Sequence, residues 1–486
     1  MRWVVRGVLL VVLSFANLNE IWSPDVVPNT LLSWTLVRER DVDYDEFVRI
    51  PVETDGLKRV YWSGGPELDR EAYFFRACGV STATEQPKAV RSIGGPPAPG
   101  PKDRVCSIFP PGIGLLALPV LLPFVLLQPF PDPTIVVLSG HLAAAIIEAL
   151  ATLLLWSVLA RFVSARWALG LILLYFLGTS VRTVSSQALW QHAGVHLAVS
   201  GALWLVLREA PVSRVREVAA GIALGLGTVV RQTTALVVFG IGGFEPRRVG
   251  FGIGVEPRRA ALAIAGLVVG ALPLLAWNAI AFGNPLEQGY GPKPFDTNVA
   301  LGLYGLLLSP SRGLFVYAPY LLFAIAAFAL AWRRPGLVAS RLRGLSLAWL
   351  ATLVLYATYA EWWGGRVFGP RFLDDLAPLL FAALAWGIGQ GLLAARGWRA
   401  AFWVAGAWSL VLFNAAALVY SNERWDMHPE NVNFAPQRLF DWSDPQWLAV
   451  LRDVPGGGVR ALVALVLSAL VVALLLRLEF RRPAVR

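Results

Sequence analysis

Twelve long apolar runs dominate the chain, near 4–18, 112–130, 134–160, 167–181, 193–207, 218–243, 260–282, 313–332, 345–360, 376–395, 401–420 and 459–477, with polar turns between them. A bilayer core of about 30 Å takes roughly 20 apolar residues per helix. The pattern therefore predicts an all-α integral membrane protein. The run at 218–243 is interrupted by Arg231-Gln232-Thr233-Thr234 and reads as two short helices turning at that point. The run at 112–130 follows Pro110 and Pro111, contains Pro119 and Pro123, and closes on Pro129, Pro131 and Pro133. It reads as an interfacial or re-entrant helix. Counted this way, the chain makes about twelve crossings.

Charge orients them. Arginine clusters fall in alternate turns: Arg2/Arg6, Arg161/Arg166, Arg208/Arg214/Arg216, Arg247/Arg248/Arg258/Arg259, Arg333/Arg334/Arg341/Arg343, Arg396/Arg399 and Arg477/Arg481/Arg482/Arg486. The positive-inside rule places those turns and both chain ends in the cytoplasm. Met1-Arg2-Trp3 leads into an apolar run with no small-residue cleavage site after it, so residues 1–18 are expected to stay as the first membrane helix. Residues 19–133 then form a long extracytoplasmic loop with interfacial helices. Membrane helices fill 134–282 and 313–420, external segments fill 283–312 and 421–457, and 458–486 holds the last helix and a cytoplasmic tail. The turn around 182–192 is external as well.

Composition agrees with this reading. Of 486 residues 56% are hydrophobic and 15% charged, with a mean hydropathy of +0.58; soluble chains run about 45–50% and about 25%. A net charge of +10 would point to nucleic acid in a soluble protein. Here the basic residues sit in the turns, so topology accounts for them and no nucleic-acid partner is expected. The excess of Arg over Lys and the abundant Ala point to a GC-rich bacterial genome. Gly94-Gly95-Pro96-Pro97-Ala98-Pro99-Gly100-Pro101 reads as a flexible loop. Glu245-Pro246-Arg247-Arg248 recurs as Glu256-Pro257-Arg258-Arg259, a local duplication in a linker. No phosphate-binding loop is present and the cytoplasmic turns have no room for a nucleotide-binding domain. No fold-scale repeat of the kind transporters use is visible. Any chemistry must use a substrate delivered in the membrane or from outside.

Several residues can carry such chemistry. Asp25, in Trp22-Ser23-Pro24-Asp25-Val26, sits at the membrane–water boundary, where it either caps a helix starting near Val26 or Pro28 or acts as a general base. His192 faces the same compartment and can meet an acceptor or a phosphate, or sit as a hydrogen-bonded interfacial histidine. With His196 it makes a His-x-x-x-His pair, but no third metal ligand is evident. Arg312, Arg366 and Arg371 stand at external helix entrances beside Gly, Pro and aromatic residues, where they either fork onto phosphate oxygens or snorkel to headgroups. Arg231 and Glu148 interrupt apolar runs and should face protein or a polar cavity; Glu148 can pair with Arg231 or His141. Asp374 and Asp375 read as helix N-terminal caps. Trp362, Trp363, Trp425, Trp442 and Trp447 read chiefly as interfacial anchors. Cys78 and Cys106 both fall in the first loop, as a disulfide or as two thiols.

Ser23-Pro24-Asp25, Asp43-Tyr44-Asp45-Glu46-Phe47 and Ile108-Phe109-Pro110-Pro111-Gly112 occur in order. They are followed by Gly178-Thr179-Ser180, Gln187-Ala188-Leu189-Trp190-Gln191-His192, Phe282-Gly283-Asn284-Pro285 and Gly289-Tyr290. Gly305-Leu306-Leu307-Leu308-Ser309-Pro310-Ser311-Arg312-Gly313-Leu314 and Trp362-Trp363-Gly364-Gly365-Arg366-Val367-Phe368-Gly369-Pro370-Arg371 complete the series. In these stretches the chain resembles the GT-C membrane glycosyltransferases, and more specifically a bacterial branch described broadly as glycosyltransferase-like integral membrane proteins. The resemblance spans nearly the whole chain and makes 134–282 part of a GT-C-like module. It implies an inverting transfer of a monosaccharide from a polyprenyl-phosphate donor to a glycan, lipid or protein acceptor, on the extracytoplasmic face of a bacterial plasma membrane. It further implies Asp25 as base and Arg312, Arg366 and Arg371 as donor-phosphate ligands, with His192, Glu20, Glu148 and Arg231 as further acceptor or phosphate contacts. The family often carries an adjacent acidic pair there and can use a divalent metal. This chain has Val26 after Asp25, and the nearest upstream carboxylate is Glu20. No cofactor is required by the residues themselves. The rival class is a lipid or sugar transporter, for which Glu148 and Arg231 would supply the intramembrane charges.

Overall fold

Apolar runs of this length shed their backbone polarity by helix formation, and the computed structural model is about 70% helical with almost no strand. It describes residues 2–49, 68–69, 72–80, 99–100, 102–128, 131–242, 244–246, 253–255, 257–291 and 294–480. Most of the 94–101 run, Pro129, Arg247, Arg248, Glu256 and the tail arginines Arg481, Arg482 and Arg486 lie outside the described residues.

The first half comprises α1 (Arg2–Phe15), α2 (Val26–Trp34), α3 (Gly112–Leu127), α4 (Pro133–Leu159), α5 (Ala165–Leu177), α6 (Gln191–Val206), α7 (Arg214–Val230), α8 (Val238–Ile241) and α9 (Pro257–Phe282). The second comprises α10 (Val299–Leu308), α11 (Leu314–Tyr317), α12 (Leu322–Arg333), α13 (Leu337–Thr358), α14 (Arg371–Asp374), α15 (Ala377–Gly389), α16 (Arg396–Val419), α17 (Gln446–Asp453) and α18 (Gly458–Phe480). Five stretches are long and apolar enough to cross a membrane: Pro133–Leu159, Pro257–Phe282, Leu337–Thr358, Arg396–Val419 and Gln446–Phe480.

Breaks fall where the residues demand them. The polar quartet ends α7 at Arg231, which is extended (φ −154°, ψ 121°), and a six-residue 3₁₀ helix (Gln232–Val237) leads into α8. The run at 313–332 is not one helix. Pro319 lacks an N–H and forces Ala318 out of the helical region (φ −133°, ψ 64°). The segment at 283–312, expected as an external loop, contains α10, whose ten residues are too few to register as a span. α3 runs unbroken through Pro119 and Pro123, and Arg38 caps it by donating to the terminal carbonyls of Val125 and Leu126.

Packing relies on small residues, as expected where lipid offers helices no hydrophobic drive to associate. Gly221 and Gly225 of α7 face Gly266 and Gly270 of α9. A Cβ at Gly221 would stand 2.1 Å from the Ala263 carbonyl oxygen, so the two backbones are in contact. α1 and α18 run antiparallel at the chain ends. Arg6 pairs with Glu479 and stacks over Trp3 and Trp156 at 4.6 and 4.4 Å, while Arg460 bonds Leu18 and Asn19 at the opposite end. The start of α1 and the end of α18 thus share one face, and Asp25 emerges at the other.

The first loop builds a small core of its own. Strands β1 (Val48–Arg49) and β2 (Leu68–Asp69) pair in parallel, and β3 (Phe75–Ala77) and β4 (Val105–Ser107) pair antiparallel. Tyr44, Phe47, Phe74, Phe75 and Val105 pack with Trp277, Ala281 and Phe282 at the end of α9. Cys78 and Cys106 are joined in a disulfide, with Cα atoms 5.1 Å apart. A second ribbon, β5 (Phe244–Pro246) with β6 (Ile253–Val255), occupies the duplicated stretch. Closing a loop of 28 residues constrains the unfolded chain by about 3.6 kcal/mol. Reduction, or the Cys78→Ser/Cys106→Ser variant, is therefore expected to raise amide exchange in β3 and β4 while leaving α4 and α6 protected. Exchange read by mass spectrometry checks it.

Candidate functional site

Asp25 stands directly before α2. The helix start leaves its carboxylate out of the cap: no side-chain capping bond is made. The start of α2 is fixed instead by Asn29, which donates to the carbonyl of Leu189, and by Tyr44, which donates to that of Pro28. The capping alternative for Asp25 therefore gives way. Its Oδ1 accepts from the Tyr73 hydroxyl, and its Oδ2 lies 3.8 Å from Arg371 Nη1. The Asp25 side chain is 25% exposed, so water and a substrate can still reach it. Burial, reinforced by the Asp25 charge, pushes the Tyr73 phenol well above its ordinary range, so Tyr73 remains a donor.

The three expected phosphate arginines separate. Arg371 is at the site. Its Nε is buried without a hydrogen-bond partner among the described residues, and its guanidinium lies 5.7 Å from the Phe372 ring. The positive φ of Gly364 (+74°) lets the chain pass close to it. Arg366 is nearby but pairs with Glu423 at 3.1 Å. Arg312 does not face a site at all, which corrects the phosphate expectation for that residue. It is 1% exposed, and its nitrogens bind Asp426, Gln446 and the carbonyls of Ser311, Trp363 and Gly365. A guanidinium with its donors spent on protein has none left for phosphate.

A buried polar chain continues inward. Arg231 Nε lies 3.3 Å from Asp375 Oδ2, and the guanidinium stacks between Phe372 (5.1 Å) and Tyr356 (5.6 Å). His192 Nδ1 bonds Asp375 Oδ1 at 2.7 Å. One turn along α6, His196 bridges Glu148 Oε2 and the Asp374 carbonyl, each at 2.8 Å. Glu148 also accepts from Tyr175 at 3.0 Å. Glu148 thus pairs with His196, not with Arg231 or His141. Asp374 and Asp375 meet Ser185, the histidines and Arg231, not helix amides; the capping reading of both is overturned. Tyr290 completes the rim: Gln191 donates to its hydroxyl at 3.3 Å, it packs edge-on against Phe109, and burial raises its phenol to about 12.

Beside Asp25 opens a cleft of about 410 Å³, lined by Glu20, Trp22, Pro24, Trp190, Arg366 and Tyr420 among others. Sequence reasoning found Asp25, Arg371, Arg231, His192 and Glu20, which gather around this end of the molecule. It missed Tyr73 and Tyr290. Gly289-Tyr290 belongs to the stretches that carry the family resemblance, yet nothing in the sequence alone ties either phenol to Asp25. Among the described residues, no group of three or more His, Cys, Asp or Glu side chains is arranged to hold a metal ion.

Comparison with known proteins adds no assignment: no family model, no curated protein and no solved structure matches the chain.

Proposed function

We propose that the protein is an inverting glycosyltransferase of about twelve membrane crossings and GT-C-like architecture. It would move a monosaccharide from a polyprenyl-phosphate donor to an acceptor hydroxyl on the extracytoplasmic face of a bacterial plasma membrane. One observation carries this reading. The carboxylate that follows the first helix is held by a tyrosine and an arginine at the mouth of a cleft, where a cap would have turned it into the backbone.

In the proposed step Asp25 takes the proton of the acceptor hydroxyl. The resulting oxygen forms a bond to the anomeric carbon as the bond from that carbon to the phosphate oxygen breaks. The electron pair leaves with polyprenyl phosphate, whose negative charge Arg371 and Arg231 meet. A single displacement inverts the anomeric centre. Tyr73→Phe removes a hydrogen bond to a charged group that water replaces only in part; kcat is expected to fall roughly tenfold, with KM for the donor unchanged in steady-state assays.

The test is polyprenyl-phosphate release by protein reconstituted in vesicles, offered a panel of polyprenyl-phosphate sugars and a membrane extract as acceptor. Release with one donor, giving inverted product, is expected. Retained configuration would rule out the single displacement. A transporter is the second reading, favoured by the ionisable cluster of Glu148, His196 and Asp374, all at most 5% exposed. Sugar crossing the vesicle wall with no bond transferred would select it.

A further inference from the structure

The cleft beside Asp25 has a lining of definite chemistry. It carries a carboxylate (Glu20), an amide (Asn422) and the aromatic residues Trp22, Trp190 and Tyr420. The Tyr420 hydroxyl is already committed to Asp426 at 2.8 Å, and the Trp190 indole N–H is buried, so neither supplies the cleft with a polar group. Charge narrows the choice. Among the described residues that line it, the guanidinium of Arg366 is matched by Glu423 at 3.1 Å and Glu20 has no ion-pair partner, so the described lining carries an uncompensated carboxylate.

We propose that this cleft is an acceptor site for a neutral, polyhydroxylated sugar, bound with one hydroxyl toward Asp25. The inference rests on the glycosyltransferase reading and narrows its acceptor from glycan, lipid or protein to glycan. Hydroxyl groups both donate and accept, and so satisfy Glu20 and Asn422 together. The C–H face of a pyranose or furanose ring fits against an aromatic face. An acyl chain would strand the same two polar groups. A phosphate or uronate would meet the uncompensated Glu20 carboxylate. Pro24 and Val27 both line the cleft, which sets Asp25 at its edge.

The test is ligand-detected saturation-transfer NMR on the full chain in detergent, without donor. The probes are methyl glucoside, mannoside, galactoside and arabinofuranoside, their neutral disaccharides, methyl galacturonate, a short-chain phosphatidylglycerol and a serine-containing peptide. At least one neutral glycoside is expected to bind, with galacturonate, lipid and peptide not competing. Asn422→Leu removes the amide; affinity is expected to fall roughly fivefold. Glu20→Gln is expected to lower it about tenfold. Thermal melts confirm that each variant is folded. Failure of every neutral glycoside to bind overturns the proposal, as do unchanged affinities in both Asn422→Leu and Glu20→Gln. Competition by the lipid or the peptide does so too. Glycoside binding without any sugar transfer would instead sink the glycosyltransferase reading and leave the sugar site standing. Transfer to a lipid with no glycoside bound would do the reverse.

Discussion

Asp25→Asn is expected to reduce polyprenyl-phosphate release by about 10²–10⁴-fold, the range a positioned general base contributes, with little change in thermal stability. The substitution keeps the volume and leaves an oxygen to accept from Tyr73 Oη. The loss therefore isolates proton transfer. Arg371 loses a carboxylate at 3.8 Å, and any gain in donor binding from the cation so exposed should appear in KM while kcat collapses. Release rate and melting temperature, measured side by side on the same reconstituted sample, decide the matter. Release that survives the substitution would mean that another group takes the proton, and the observation carrying the proposed function would no longer do so.

Asp426→Ala is expected to cost about 3–5 kcal/mol of stability, because it leaves the buried Arg312 charge uncompensated. Asp426 is fully buried and accepts from Arg312, Tyr420 and Gln446 at 2.8, 2.8 and 2.9 Å. Burial outweighs even the adjacent guanidinium and raises its carboxyl above the usual range. Through Arg312 the cluster ties the turn at Ser311 to Trp363, Gly365 and the start of α17. Its loss should free the 421–457 segment from the bundle. Thermal melts should show the drop, and amide exchange should rise across residues 425–446. The contrast is Arg366→Ala, which removes a pair exposed by 27% and 66% and should change stability by less than about 1 kcal/mol. An Arg312→Met/Asp426→Leu double variant should recover most of the stability, since the cost comes from the orphaned charge rather than from the missing pair.

Helices were legible in the sequence because length and apolarity are local properties, and the long runs became helical, though the one at 313–332 broke at Ala318. The breaks at Arg231 and in the proline-rich approach to α3 were equally local. What escaped depended on distance. α10 hid inside a polar segment because ten residues are too short to stand out. Asp374-Asp375 at the start of an apolar run looks like any pair of helix-start acids; only folding brings His192 and His196, more than 170 residues earlier, against it. Arg312 and Arg371 sit in similar glycine- and proline-bordered contexts. One is sealed by Asp426 from 114 residues away and the other is left with a partnerless Nε. Tyr73 carries no periodic signal, and its role comes from the loop core that the disulfide closes.

The pairing of Arg6 with Glu479 joins residues 473 apart in the chain, and that gives it a history in time. At roughly 5–20 residues per second of synthesis, Arg6 waits on the order of half a minute to a minute and a half for its carboxylate. Only the flanking indoles of Trp3 and, later, Trp156 shelter it meanwhile. A ribosome that stalls before the last helix leaves behind a chain with an unmatched cation in its first.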